Sequence, residues 1–258
     1  MAKIVPQILR FDSLPSTNLE VARRASEGAG EGLCVVANEQ TDGRGRLQRR
    51  WISPKGAGLY FSMLLRPQIH QNKWAFITLA AALAVHDALL DAYSLDADIK
   101  WPNDILSGNR KLCGILAETV ETKDGRAVVL GIGINLTSSA FPPELHEIAT
   151  SVEREIDRVP DPETILKSLI VSIGRRYEML ESNDSEKIIL REWSAHSSYA
   201  SGKRVRVVNG QEVIEGITRG LEPDGALRVE TDGRDIQIVR AGDVTEVREL
   251  GVPRGSVP

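Results

Sequence analysis

Four arginines and two glycines are crowded into Thr41-Asp42-Gly43-Arg44-Gly45-Arg46-Leu47-Gln48-Arg49-Arg50-Trp51. Glycine lets backbone N–H groups close on an oxyanion, and guanidinium forks add charge-assisted, often bidentate bonds to phosphate or carboxylate. The chemistry this composition suits is capture of an anion. The string lacks the lysine and hydroxyl of a P-loop, and Gln48 stands where G-x-G-x-x-G requires its third glycine. Taken alone, it reads as readily as a solvated basic loop or a nonspecific RNA contact.

Three further groups carry polar chemistry. Lys100-Trp101-Pro102-Asn103-Asp104 runs from a strand end into a turn, and Lys111 follows in Arg110-Lys111-Leu112-Cys113-Gly114-Ile115-Leu116. Either lysine alone is an ordinary solvated side chain. Two on neighbouring strands can converge with the arginine loop on one polyanion, for which a triphosphate is the obvious candidate. Ser16-Thr17-Asn18 opens a helix and offers hydroxyl, amide and free N–H groups, although plain helix capping uses the same residues. Gly131-Ile132-Gly133-Ile134-Asn135 places glycines inside a strand, which marks a bulge or a ligand lying close.

The elements that must hold these groups follow from periodicity. Strands are expected at 7–11, 33–39, 58–66, 97–101 and 111–120, the last two separated by the turn Pro102–Arg110, and a hairpin through 122–126 leads to the strand 127–136. A helix is expected over residues 18–26, with Thr17-Asn18-Leu19-Glu20 as a capping box, and an Ala/Leu-rich one over 74–93. From Pro143 to about His196 the pattern turns helical, and from 201 onward it is strand-rich, with turns at Asn209-Gly210, Asp224-Gly225 and Asp232-Gly233. The class is α+β: a mixed or antiparallel sheet with flanking helices, followed by a small C-terminal β-barrel. The expected division is 1–197, 198–250 and a tail at 251–258.

Composition bounds the rest. With 258 residues the chain can bury roughly three quarters of its unfolded surface. Lys+Arg 32 against Asp+Glu 36 gives a net charge of −4, so anion binding has to be local, and a general nucleic-acid coat is disfavoured. Cys34 and Cys113 each sit in an apolar run, which suits core packing better than a disulfide or zinc cluster. His70, His86, His146 and His196 are scattered in sequence and match no metal-ligand spacing, so no fixed protein metal site is expected. The start has no secretory pattern, and the longest nearly apolar stretch, 74–85, falls short of the ~20 residues that span a bilayer, so a cytoplasmic chain without a membrane partner is expected.

In chain order, Ser-Thr-Asn near the start, the arginine loop ending in Trp51, Lys-Trp-Pro-Asn-Asp-Ile, Arg-Lys-Leu-Cys-Gly-Ile-Leu and Gly-Ile-Gly-Ile-Asn-Leu together resemble the biotin protein ligases. The resemblance covers most of the chain and departs at Gln48, where the family often has glycine. It implies the catalytic fold shared with class II aminoacyl-tRNA synthetases, with an SH3-like C-terminal domain. The implied activity is ATP-dependent attachment of biotin to a lysine of a biotin carboxyl carrier domain, through biotinyl-5′-AMP, with Mg²⁺ accompanying ATP. Carried over residue by residue, Lys111, Arg44, Arg46 and Lys100 are the catalytic candidates. Ser16, Thr17, Asn18, Gln40, Gly43, Arg44, Gly45, Arg46, Lys111 and Gly114 would surround biotin. Trp51, Asn103, Asp104, Gly133 and Asn135 would face the nucleotide, with the Asn135 amide suited to bidentate reading of adenine.

The family's bifunctional members carry an N-terminal helix-turn-helix domain for which these residues leave no room, so DNA binding is not expected; a homodimer is left open. Lipoate or octanoate attachment on a related fold is the alternative, against which the arginine loop and Lys-Trp-Pro-Asn-Asp argue. Glycines beside mutually repelling arginines lead to the expectation that residues 43–51 order over bound ligand.

Overall fold

A computed structural model describes residues 4–246, apart from residue 140; the expected tail and the last residues of the expected C-terminal unit lie outside that range. The chain runs β1 (Gln7–Phe11), α1 (Thr17–Ser26), β2 (Leu33–Ala37), β3 (Gly58–Leu65), α2 (Ala75–Tyr93), β4 (Asp98–Lys100), β5 (Asp104–Ser107), β6 (Arg110–Thr122) and β7 (Gly125–Asn135). There follow α3 (Val152–Ile156), α4 (Pro162–Leu180), α5 (Ser185–Ala195), β8 (Ser201–Asn209), β9 (Glu212–Leu221), β10 (Leu227–Glu230), β11 (Ile236–Val239) and β12 (Asp243–Glu246).

The first seven strands form one mixed sheet in the order β1-β2-β3-β7-β6-β5-β4. Only β1 and β2 are parallel, joined by the α1 crossover; the other neighbours are antiparallel. Helices cover both faces. Val21 and Ala25 of α1 pack on Val35, Leu64 and Val129, while α2 and α4 cover Met63, Leu65, Val128 and Leu130 on the other side. Double coverage is why β3 and β7 read as continuous apolar runs rather than as alternating ones.

Helix α2 is the centre of the larger core, with Ala82, Leu83, Ala84, Val85, Ala88 and Leu89 fully buried. Together with the 3₁₀ turn before it, this segment is long and apolar enough to meet the composition of a membrane span, and it is buried here against α4 and the sheet. Burial on several sides removes the polar face that a surface helix would show.

Two expectations are corrected. The segment expected as a plain turn between two strands contains β5, folded back onto β6 by Gly108 and Asn109, both at positive φ (53° and 65°), the geometry of a tight primed hairpin turn. Helix α1 has no capping box: its N-cap is Ser16, which makes no side-chain cap bond, and the Thr17 N–H is taken by Gln40 Oε1 at 2.9 Å. Glu20 instead pairs with Arg23 and Arg24. The C-terminal strands form an antiparallel sheet in the order β11-β10-β9-β8-β12, consistent with the SH3-like unit expected; among the described residues β11 and β12 do not pair.

The C-terminal sheet shares the main core. Val205, Val207, Leu227, Val229, Val239 and Val244 join the cluster around α2, and the Trp101 indole donates to Gly225 O at 3.0 Å. Trp101 of the Lys-Trp-Pro-Asn-Asp string is thereby a buried tie between the two sheets.

Candidate active site

Where the start of α1 crosses the middle of the large sheet, polar side chains are buried in a small network. Gln40 Oε1 accepts from both the backbone N–H and the hydroxyl of Thr17 (2.9 and 3.1 Å), and Gln40 Nε2 donates to Ser53 Oγ at 2.9 Å. Ser62 Oγ, fully buried in β3, lies 2.7 Å from Thr17 Oγ1 and 2.6 Å from Asn18 Oδ1. The Asn18 amide donates to Glu118 Oε2 at 2.8 Å. Gly131 of β7 is small because Asn18 fills the space that a Cβ would need. Each buried polar atom so engaged avoids a desolvation penalty of about 1–3 kcal/mol, which makes the network a rigid floor.

The arginine loop crosses above this floor. Its ends are pinned by Trp51 N–H to Gly43 O (2.8 Å), and its tip by Gly45 N–H to Arg49 O (2.7 Å) around a 3₁₀ turn, Arg46–Gln48. Leu47 and Gln48 both take positive φ, 53° and 60°. Gln48 therefore occupies a backbone position where glycine is unstrained, and the side chain carries a cost of about 1–2 kcal/mol.

The four arginines diverge to different anchors. Arg44 pairs with Glu118 at 3.0 Å, on the second oxygen of the carboxylate that holds Asn18. Arg46 donates to Asn103 Oδ1 (3.1 Å) and to Gly242 O (3.3 Å), and Arg49 pairs with Asp243, so the C-terminal sheet reaches the loop. Arg50 donates to Thr41 O at 2.8 Å. Burial draws the Arg46 guanidinium below its usual range, an effect that Asp243 and Asp104 only partly offset.

The two lysines meet on one carboxylate: Asp104 Oδ1 is 2.7 Å from Lys111 Nζ, and Oδ2 is 3.6 Å from Lys100 Nζ. Lys111 also lies 5.3 Å over the Trp51 ring, a cation–π distance. The Trp51 indole rests on β7 at Gly133, where a Cβ would stand 2.5 Å from its Nε1, and on β6 at Gly114, where a Cβ would stand 3.0 Å from its Cζ3.

Trp51 and Lys111 form the wall between two adjoining cavities. One, of about 140 Å³, is polar and lined by Ser16, Thr17, Asn18, Gln40, Arg44 and Arg46. The other, of about 190 Å³, is more apolar, with Ile52, Phe141, Leu145, Ile148 and Asn135 around it. A ligand with a small polar head, a charged middle and a flat, mostly apolar ring would fill the pair.

Of the residues expected from the sequence, Ser16, Thr17, Asn18, Gln40, Arg44, Gly45, Arg46, Trp51, Asn103, Asp104, Lys111 and Gly114 line the first cavity, and Asn135 the second. Gly43, at the base of the loop, lines a further cavity beside it, and Gly133 lies behind Trp51. Lys100 lines neither cavity and touches the site through Asp104. One expectation changes: the Asn135 amide donates to Lys111 O (3.3 Å) and Thr150 O (3.0 Å), which leaves Oδ1 as an acceptor and removes the donor that bidentate reading needs.

Ser62, Glu118 and Asp243 were not foreseen. Ser62 had a signal, a lone hydroxyl in the apolar run of β3. Glu118 and Asp243 had none, because their partners Asn18, Arg44 and Arg49 are brought to them only by folding. Cys113 is fully buried, and burial pushes its thiol far above the ordinary range, in keeping with a core filler.

Residues 8–135 match the model of the Biotin/lipoate A/B protein ligase family, and residues 200–245 that of the Biotin protein ligase C terminal domain. The bifunctional ligase/repressor BirA of Bacillus subtilis is 36% identical over 95% of this chain and 74% of its own length. The biotin--[acetyl-CoA-carboxylase] ligase of Mycobacterium tuberculosis is 33% identical over 90% and 86%. A solved biotin protein ligase from Aquifex aeolicus, in complex with biotin and ATP, superposes with a TM-score of 0.82 at 26% identity over 95% of this chain and all of that one. With its ordered motifs folded into a single cleft, and with relatives matched along nearly its whole length, this chain belongs to the biotin protein ligase family.

Proposed function

We propose that the protein couples ATP hydrolysis to AMP and pyrophosphate with attachment of biotin to a lysine of a biotin carboxyl carrier domain, and that it does so in the cytoplasm. One observation carries the reading: a buried polar pocket, a cluster of arginine and lysine, and an apolar cavity adjoin, with Arg50, Trp51 and Lys111 lining both cavities. That sequence of environments matches the ureido ring, the reacting carboxylate and phosphate, and the adenine of an acyl adenylate.

In the first step a biotin carboxylate oxygen forms a bond to the α-phosphorus of ATP as the bond to pyrophosphate breaks. Two anions must meet, so positive charge placed beforehand lowers the barrier. Lys111, Arg44 and Arg46 supply it, with Lys100 acting through Asp104. Thr17, Asn18 and Gln40 take the ureido group, which both donates and accepts, while Ser16 closes that end. Gly43, Gly45 and Gly114 leave room for the ligand and for Trp51, which covers the adenylate with Asn135 as acceptor for the adenine amine. Mg²⁺ brought in with ATP would supply charge to offset that of the departing pyrophosphate. The donor set at the cleft suits this better than a resident ion: Asp104 is held by two lysines, Glu118 by Arg44 and Asn18, and Asp243 by Arg49.

In the second step the neutral amine of the carrier lysine attacks the acyl carbon, AMP leaves, and the amine gives up a proton. Asp104, bearing a carboxylate beside Asn103 at the polar cavity, is suited to hold that amine. Residues 1–197 form the catalytic unit in this reading, and residues 198–250 a unit whose Gly242 and Asp243 brace the loop over the adenylate.

The test is incubation with ATP, Mg²⁺ and either biotin or lipoate, following pyrophosphate release and the mass of an added biotin carrier domain. Biotin-dependent release with a biotinylated carrier supports the reading. Turnover with lipoate alone moves the protein to the lipoate branch, and no turnover with either acid overturns ligase function.

A further inference from the structure

The histidines that are scattered along the sequence are not all scattered in space. His86 of α2 and His196 at the C-cap of α5 bring their rings to a centroid distance of 4.1 Å, tilted by 39°. Asp96, on the loop between α2 and β4, reaches His86 Nε2 at 2.9 Å. One ligand atom from each of the three residues lies within 4.8 Å of the others. None of the three lines the two cavities of the active site.

We propose that His86, Asp96 and His196 bind a divalent transition-metal ion of the zinc type. Two imidazoles and one carboxylate form the donor set that favours Zn²⁺, Co²⁺ or Ni²⁺ over Mg²⁺ or Ca²⁺, which prefer oxygen. Three protein ligands leave a fourth position for water.

The surroundings of His86 support the site. The residue is 1% exposed, and its Nδ1 is buried without a hydrogen-bond partner. Asp87 Oδ1 stands 3.9 Å from it, and the other oxygen of that carboxylate is fixed by Arg175 (2.7 Å) and Arg176 (2.8 Å). Metal-bound histidine commonly turns its second nitrogen to a carboxylate, which fixes the tautomer and raises ligand basicity. A simple His86–Asp96 pair accounts for Nε2 but leaves the Asp87–Nδ1 alignment and the second imidazole without a purpose. Metal bonds of about 2.0–2.1 Å require the three groups to draw together. Asp96 is 79% exposed and His196 ends its helix, so both have room to move toward the rigid His86.

Such an ion would staple α2, the entry to β4 and the end of α5 at the point where the chain leaves for the C-terminal sheet. There Ser197 Oγ already bonds Ile99 O at 2.6 Å, and Ser198 bonds Asp98.

The experiment uses the full, tag-free chain after chelator dialysis, titrated with ZnCl₂ by calorimetry and melted with and without Zn²⁺, and with CoCl₂ for the visible absorption of a tetrahedral site. One equivalent should bind, and saturation should raise Tm by about 5 °C. His196→Ala and Asp96→Asn, both changes at accessible side chains, should each weaken binding by at least about tenfold, the loss expected for one ligand group. His146→Ala should change nothing. No binding in the wild type, or equal binding in all variants, overturns the proposal.

Discussion

Lys111 and Asp104 form a direct ion pair, with Nζ 2.7 Å from Oδ1, at the wall between the polar and apolar cavities. In the proposed reaction this places the ammonium where a carboxylate and an α-phosphate meet. Lys111→Ala should lower biotin-dependent pyrophosphate release by about 10² or more, the usual loss for one preorganised charge donor. Asp104→Asn keeps Lys111 but removes the carboxylate that anchors both lysines and that is proposed to hold the incoming amine, so pyrophosphate release should fall and the transfer of biotin to the carrier should fall further. Single-turnover assays of the two steps measure that split, and equal losses in both would refute a separate role for Asp104.

The loop over the site is braced from two directions, by Arg46 on Asn103 and Gly242 O and by Arg49 on Asp243. Arg46→Gly removes a partly buried cation with two partners, and dissociation of the adenylate in stopped flow should accelerate by at least about tenfold. Arg49 is exposed, so Asp243→Ala should cost only about 0.5 kcal/mol, or a two- to threefold faster dissociation that disappears at high salt. A much larger effect of Asp243→Ala would mean that the C-terminal sheet contributes more than a surface ion pair.

Two glycines of β7 should separate the substrates. A Cβ at Gly133 would stand 2.5 Å from Trp51 Nε1, whereas one at Gly131 would collide with the Asn18 amide. Gly133→Ala should therefore raise KM for ATP with little change for biotin, and Gly131→Ala should do the reverse. Steady-state kinetics with each substrate varied in turn will show whether the two cavities are distinct.

Acid stability should depend on Glu155 and Asp87, which lie outside the cleft. Burial alone would raise the Glu155 carboxyl, but bonds from Ser107 and Thr150 and the charges of Arg110 and Arg154 hold it below its ordinary value of 4.5. For Asp87 burial is likewise outweighed, here by His86, Arg176 and Arg175. Carboxylates depressed in the folded state add stability above their unfolded pKa and lose it as pH falls toward the folded value. The melting temperature should hold from neutral pH to about 5 and decline below, with a shallower decline in Glu155→Gln. Thermal melts across that range test this.

Much of the site was legible because anion chemistry leaves a local signature. Glycine beside arginine in residues 43–46, and lysines flanking a turn, are unusual combinations in a chain of net charge −4. Long periodic elements were equally plain: the helical pattern expected between Pro143 and about His196 holds α4 and α5. The short β5 was hidden, because four residues next to a Pro-Asn-Asp turn carry too little pattern to reveal a strand. The capping box was misread for a different reason. Its residues satisfy a local rule, but the Thr17 hydroxyl and N–H are claimed by Gln40, 23 positions away.

By itself the sequence determined which groups the protein can offer to an anion and an aromatic ring, the order of its helices and strands, and the family to which they point. Local composition and periodicity encode such properties, since each depends on residues a few positions apart. Only the tertiary structure decided how the groups share partners: Glu118 divided between Asn18 and Arg44, Asp104 between two lysines, Asn135 spent on backbone carbonyls, and His86 beside His196. Apart from Asp104 and its lysines, those pairings join residues far apart in the chain, and they exist only where packing of the sheet against α1 and α2 excludes water and leaves each buried polar atom to be satisfied by what the fold places within reach.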